Sequence, residues 1–205
     1  MWALFFILNL GKMNTYYFTV SLLVLGHFAK RLYESKYVHI FSNDTAPLIP
    51  SFKNFIAYWI IVGVSIPLEI FSWRNSYFEK INFPTFIKGI LVILFVLFEA
   101  GNYYCHMYLR NLRLNARGEV SKERKVPKGL FFDTVVCPNY SFEILSWLVF
   151  VIISESFFSL LFIALGSFIM HKWGLQKKRK LLDLNITQEE KSMIEKKQVL
   201  FPMII

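Results

Sequence analysis

Four polar residues stand at spacings of four, four and three in the stretch GNYYCHMYLRNLR, residues 101–113: Asn102, His106, Arg110 and Arg113. On a helix these positions share one face. Two guanidinium forks suit a phosphate, and Asn and His can hydrogen-bond ribose or amide groups beside it. Arginines at a helix end also snorkel towards anionic lipid, but Asn102 and His106 lie a turn or two further in, beyond the reach of that explanation. Upstream, HFAKRLYESKYVHIFS, residues 27–42, places His27, Lys30 and Arg31 within one turn and His27, Arg31 and Glu34 at helical spacing. Lys30 serves either as an interfacial anchor or as a cation that stabilises a phosphate or makes a nearby phenol a stronger acid. Downstream, VVCPNYSFEILSW, residues 135–147, offers Pro138 to start a helix, Asn139 to cap it and Glu143 to complement the dipole of its first turn. Tyr140 there belongs either to an aromatic belt or to a reaction.

The elements that must position these groups are membrane helices. Of the 205 residues 55% are hydrophobic and 18% aromatic, with 22 Phe and only 18% charged, too apolar for an ordinary soluble domain. The net charge of +9 does not point to nucleic acid, because the Lys and Arg cluster beside apolar runs, as cytosolic loops of membrane proteins do. A span needs about 20 mostly apolar residues. Four regions approach that length: 14–29, 55–73, 86–109 and 144–170, the last interrupted by Ser154, Glu155 and Ser156. Residues 1–10 read as the start of the first membrane element, with no basic leader or small-residue cleavage pattern. An all-α polytopic bundle of about 5–6 transmembrane or membrane-embedded helices, forming one membrane domain over 1–205, is the expected fold.

Charge sets the orientation. Lys30, Arg31, Lys36 and Lys53 fill one connection, and Arg110, Arg113, Arg117, Lys122, Arg124, Lys125 and Lys128 another; the segment between holds only Arg74 and Lys80. Both basic connections are expected in the cytosol. The basic tail, Lys172 and Lys177 to Lys180, joins them only if 143–171 crosses an even number of times, which predicts a tight helical hairpin turning near Ser154 to Ser156. The sequons at Asn43, Asn139 and Asn185 then fall on the cytosolic side and carry no glycan. Cys105 and Cys137 have neither a CxxC spacing nor a disulfide context, so no metal site is expected; GxGxxG and GxxxxGK[ST] are absent.

Taken together, three of these stretches resemble one family. KRLYESKYVHIFS is similar to the KRxxExxxVHRFS element, GNYYCHMYLRNLR to GNxxxHxxLRxLR, and VVCPNYSFEILSW to VSCPNYxxExxSWxxF of the very-long-chain trans-2-enoyl-CoA reductases, within the steroid 5α-reductase family. The resemblance extends over about residues 26–182 of a core reaching 205, and FPMII resembles the family's IPFxx ending. It implies an endoplasmic-reticulum membrane enzyme, basic loops and C-terminus cytosolic, that reduces the 2,3 double bond of a long-chain enoyl-CoA with NADPH. Other fatty-acid elongation enzymes and membrane lipid are the implied partners. By motif, Tyr140 and Lys30 are catalytic, while Asn102, His106, Arg110, Arg113, Asn139, Glu143 and Arg179 serve the cofactor site.

The departures are specific. The family's enoyl-reductase branch opens with a ubiquitin-like domain and a span carrying an acidic residue, both expected to be absent here, and no carboxylate precedes Glu34. Where the family has KHRxYLKxF this chain has KKRKLLDLN, which puts Leu181 at the usual tyrosine, and charged residues 185–197 are inserted before FPMII. A steroid or polyprenol enone reductase of the same family is the alternative activity. A non-catalytic partner of the elongation complex and a membrane methyltransferase, with Glu189 and Glu190 as its acidic pair, are the readings from other classes.

Overall fold

The computed structural model describes residues 1–12, 14–40, 48–73, 83–121 and 124–202. Arg74, Lys80, Asn43 and Lys122, used above for topology, lie outside the described residues. In chain order the helices are α1 Trp2–Leu8, α2 Thr15–Tyr33, α3 Leu48–Ala57, α4 Ile66–Leu68, α5 Thr85–Leu112, α6 Pro138–Ser154, α7 Phe157–Leu182 and α8 Gln188–Lys196. Short helical turns at Leu10–Lys12, Glu34–Val38 and Leu130–Asp133 join them, and strand-like pairing among the described residues is limited to two isolated bridges, Leu114 with Val120 and Val135 with Gln198. The all-α expectation holds.

Residues 1–10 are not continuous with the apolar region 14–29. They form α1, which closes at Asn9, where the side-chain Nδ2 donates to Phe5 O at 2.9 Å, and Asn14 opens α2 afresh by accepting from Tyr17 N at 3.0 Å. Two side-chain-capped boundaries so close together prevent one continuous helix. Trp2 docks α1 by donating from Nε1 to Val62 O at 2.7 Å. The second apolar region is helical from Leu48 to Trp73 but widens into π turns over Tyr58–Ser65 and Glu69–Trp73, on either side of Pro67, which has no N–H to give the preceding turn.

The fourth region is the expected hairpin. Glu155 adopts a left-handed conformation (φ 47°) between α6 and α7, and the returning helix brings Gly174 beside Cys137 at the start of α6. The turn is held from outside: Ser156 Oγ accepts from Ser159 N at 3.1 Å, and the Glu69 carboxylate accepts from Phe157 N at 2.8 Å, from Phe158 N at 3.1 Å and from Ser156 Oγ. A carboxylate at the first turn of α7 satisfies donors that lipid cannot.

Among the described residues α5 and α7 are the helices long and apolar enough to cross a membrane, with shorter apolar helices over Tyr58–Phe71 and Pro138–Ser154. Phe86, Ile93 and Leu97 of α5 and Phe157, Leu165 and Phe168 of α7 point outward, as lipid-facing side chains would. Inside, Val20 and Val24 of α2, Ile66 of α4, Phe95 of α5 and Trp147 and Phe150 of α6 make one core. Replacing Glu69 by Ala is predicted to lower stability by about 1–2 kcal/mol, the usual worth of a cap. The readout is the thermal midpoint in detergent, and no change would mean that Ser156 alone suffices.

Candidate active site

The polar stripe read from the sequence folds onto one face of α5, as its spacing requires, with Asn102 and His106 buried. That face meets α6 closely, because a Cβ on Gly101 would lie 2.9 Å from the Phe142 ring. Glu99, three residues before Asn102, extends the stripe inward. Its Oε2 lies 2.8 Å from Lys30 Nζ and its Oε1 3.0 Å from His27 Nδ1. Lys30 also donates to Asn102 Oδ1 at 2.5 Å, and Asn102 Nδ2 donates to Asn139 O at 2.8 Å. A second strand of contacts runs beside it. Arg31 Nη1 donates to Glu34 Oε2 at 2.7 Å, Glu34 Oε1 lies 3.1 Å from His106 Nδ1, and His106 Nε2 faces Asn139 Nδ2 at 3.4 Å. Three helices, α2, α5 and α6, are thus joined through charged and polar side chains.

Pro138 starts α6 as expected, but the cap position is Cys137, and Asn139 turns its amide to His106 instead of capping. Glu143 lies five residues into the helix, outside the first turn, with Oε1 3.5 Å from His27 Nε2. The early start at Pro138 moves both residues past the positions where a cap or a dipole partner acts.

In front of this network lies a cleft of about 630 Å³ whose lining includes His106, Arg110, Arg113, Asn139 and Tyr140 from the motifs, together with Arg31, His39, Arg124 and Lys125. α7 contributes Trp173, Lys177, Lys180 and Leu181, spaced as one helical face. Among the described residues no carboxylate lines the cleft, so its field selects anions. Lys177 Nζ lies 4.3 Å from the centroid of the Tyr140 ring, a cation–π distance. The cation beside the phenol is therefore Lys177, whereas Lys30 is engaged with Glu99 and Asn102 behind the wall. Arg179 is exposed and does not line the cleft; two residues beyond Lys177 it faces roughly 200° away around the helix. Leu181 occupies cleft wall where the resembled motif has tyrosine.

The start of α6 is backed by residues 198–200 of the C-terminal segment, which no motif announced. Val136 N donates to Gln198 O at 2.9 Å, Cys137 N to Val199 O at 3.0 Å, and Ser141 Oγ to Leu200 O. Gly174 is required there, since any Cβ would run into Val199. Lys178 donates to Glu195 O at 2.8 Å and Lys197 O at 2.7 Å, fixing the rotation that turns Lys177 into the cleft. The inserted charges form α8, opened by a capping box between Thr187 and Glu190. Glu190 is spent on that cap and on Lys128, 2.6 Å away, whose ammonium holds the carboxyl below its usual range. It is thus no acidic pair with Glu189. Asn139, of the sequons, is buried.

Glu34, His39 and His106 place three potential metal donors within 4.8 Å, but Arg31 and Lys30 already face Glu34 and oppose a cation. Cys105 and Cys137 are buried free thiols. Burial, aided by His106 and Arg31, pushes His39 down to about 4 from 6.5. Its folded form resists protonation, so the stability it contributes is complete above pH 6.5 and is lost as pH falls towards 4. His39→Gln is predicted to flatten the fall of the thermal midpoint across that window; parallel curves for the two proteins would contradict this.

Residues 44–183 match the family described as 3-oxo-5-alpha-steroid 4-dehydrogenase. The very-long-chain enoyl-CoA reductase of Dictyostelium discoideum is 38% identical over 154 residues, covering 75% of this chain and 48% of that protein. The polyprenal reductase of Homo sapiens is 28% identical over 140 residues, covering 66% and 44%. The chain spans about half the length of these relatives. With most of its length matched, and with enoyl-CoA reductases among its relatives, the chain belongs to the steroid 5α-reductase family of membrane oxidoreductases.

Proposed function

We propose that this protein is an NADPH-dependent reductase of the 2,3 double bond of very-long-chain trans-2-enoyl-CoA in fatty-acid elongation, acting in the endoplasmic-reticulum membrane with its cleft towards the cytosol. The observation that carries the reading is one cleft shared by an arginine pair and a phenol: Arg110, Arg113 and Tyr140 all line it. A cavity of about 630 Å³ rimmed by cations suits a phosphorylated dinucleotide. Arg110, Arg113, Lys177 and Lys180 would hold its phosphates, with His106 and Asn139 hydrogen-bonding the parts nearer α6.

When bound, the cofactor supplies the hydride that adds to the β carbon. Negative charge then gathers on the thioester oxygen, and the α carbon must take a proton. The Tyr140 hydroxyl gives that proton, and the resulting phenolate is stabilised by the Lys177 ammonium until water restores it. One NADPH and one proton are consumed per double bond, and NADP⁺ and saturated acyl-CoA leave. Lys30 acts from behind the wall, keeping Asn102 on the backbone that precedes Tyr140.

Tyr140→Phe is predicted to remove most NADPH oxidation with a long-chain trans-2-enoyl-CoA in detergent, by roughly 10²- to 10⁴-fold. Full activity in that variant would end the role of Tyr140. Replacing Arg110 and Arg113 by Ala should raise the Kd for NADPH roughly 10- to 100-fold, and an unchanged Kd would move the phosphate site elsewhere. The polyprenal reductase relative and the family description support a second acceptor class, a polyprenyl or steroid enone or enal. Turnover of such a compound in preference to the enoyl-CoA would favour it.

A further inference from the structure

The geometry points to His27 as a positioning residue that brackets Tyr140 from behind. Its ring is 4% exposed and held edge-on against Phe28 and Trp147, with centroids 5.1 and 5.2 Å away, so its orientation is fixed by packing. Each ring nitrogen faces a different carboxylate: Nδ1 lies 3.0 Å from Glu99 Oε1 on α5, and Nε2 3.5 Å from Glu143 Oε1 on α6. Nδ1 is at hydrogen-bond distance from Glu99 and Nε2 faces Glu143, so the ring is a clasp between the two helices. Without it, Glu99 would keep Lys30, but the largely buried Glu143 would lose the ring nitrogen that faces it, an arrangement that costs heavily in a membrane bundle.

Both arms of the clasp end on the same turn. Through Glu99, Lys30 and Asn102 the first arm reaches the carbonyl of Asn139. The second holds Glu143. These two residues lie on either side of Tyr140 in the chain, so His27 fixes the direction in which the phenol leaves α6. It does not line the cleft, and works only through these carboxylates. The consequence for turnover rests on the reductase reading above; the clasp itself does not.

The test compares His27→Phe, which keeps the ring volume, with Glu143→Gln and with the double variant, each purified in detergent. If His27 acts through Glu143, the fall in thermal midpoint of the double variant is smaller than the sum of the singles. In the same protein kcat drops roughly 100-fold in His27→Phe, the usual penalty for a displaced reacting group, and His27→Gln recovers part of it by keeping one donor. Additive midpoints, or wild-type kcat in His27→Phe, would overturn the proposal and leave His27 as core packing. The midpoint comparison needs no turnover, so it still decides whether the clasp exists if Tyr140→Phe or an inactive wild type disproves the reductase reading.

Discussion

Everything in this bundle depends on burying charge in compensating pairs between helices that lipid would otherwise hold apart only loosely. Lipid tails are as apolar as leucine, so hydrophobic burial gives α2, α5 and α6 little reason to choose one register over another. Lys30 between Glu99 and Asn102, and Glu34 between Arg31 and His106, supply that reason. A slide of one helix turn would strand each of these groups without its partner, at the cost of an unpaired buried ion. The polar network is therefore the register key of the fold as well as the back wall of its site.

Cations in this protein divide into two populations. Those paired with carboxylates, Lys30 behind the wall and Arg31 at the edge of the cleft, face Glu99 and Glu34 and hold structure. Those in front, Arg110, Lys177 and Lys180 among them, line a cleft that receives no carboxylate from the described residues. Asn102 and Asn139 stand at the border, joined by one hydrogen bond, so an anion arriving in the cleft meets side chains whose positions are set from behind. Such preorganisation is what a reaction with developing negative charge requires.

The α5 stripe and the hairpin at Glu155 were legible because each follows from local spacing or from the length of an apolar run. Glu99 was not read as part of the stripe, because its partner Lys30 lies on another helix, and spacing within one segment cannot name a partner on another. Asn139 illustrates the opposite error. Local chemistry favours it as a cap, but tertiary contact with His106 claims its amide. Lys177 and Arg179 are indistinguishable in the run KKRK; the rotation of α7, set by Lys178 on the carbonyls of Glu195 and Lys197, decides between them. The separation of α1 from α2 rested on two asparagines whose capping role emerges only once both helices exist.

The short parallel pairing of residues 198–200 with 135–137 carries a consequence for assembly in the cell. Backbone donors of Val136 and Cys137, directly before the CPNY turn, wait for carbonyls made more than sixty residues later in synthesis. The hairpin of α6 and α7 is complete in sequence before then, but the residues that open α6 still lack these partners. The turn that presents Asn139 and Tyr140 to the cleft is therefore backed only once residues 198–200 have been made.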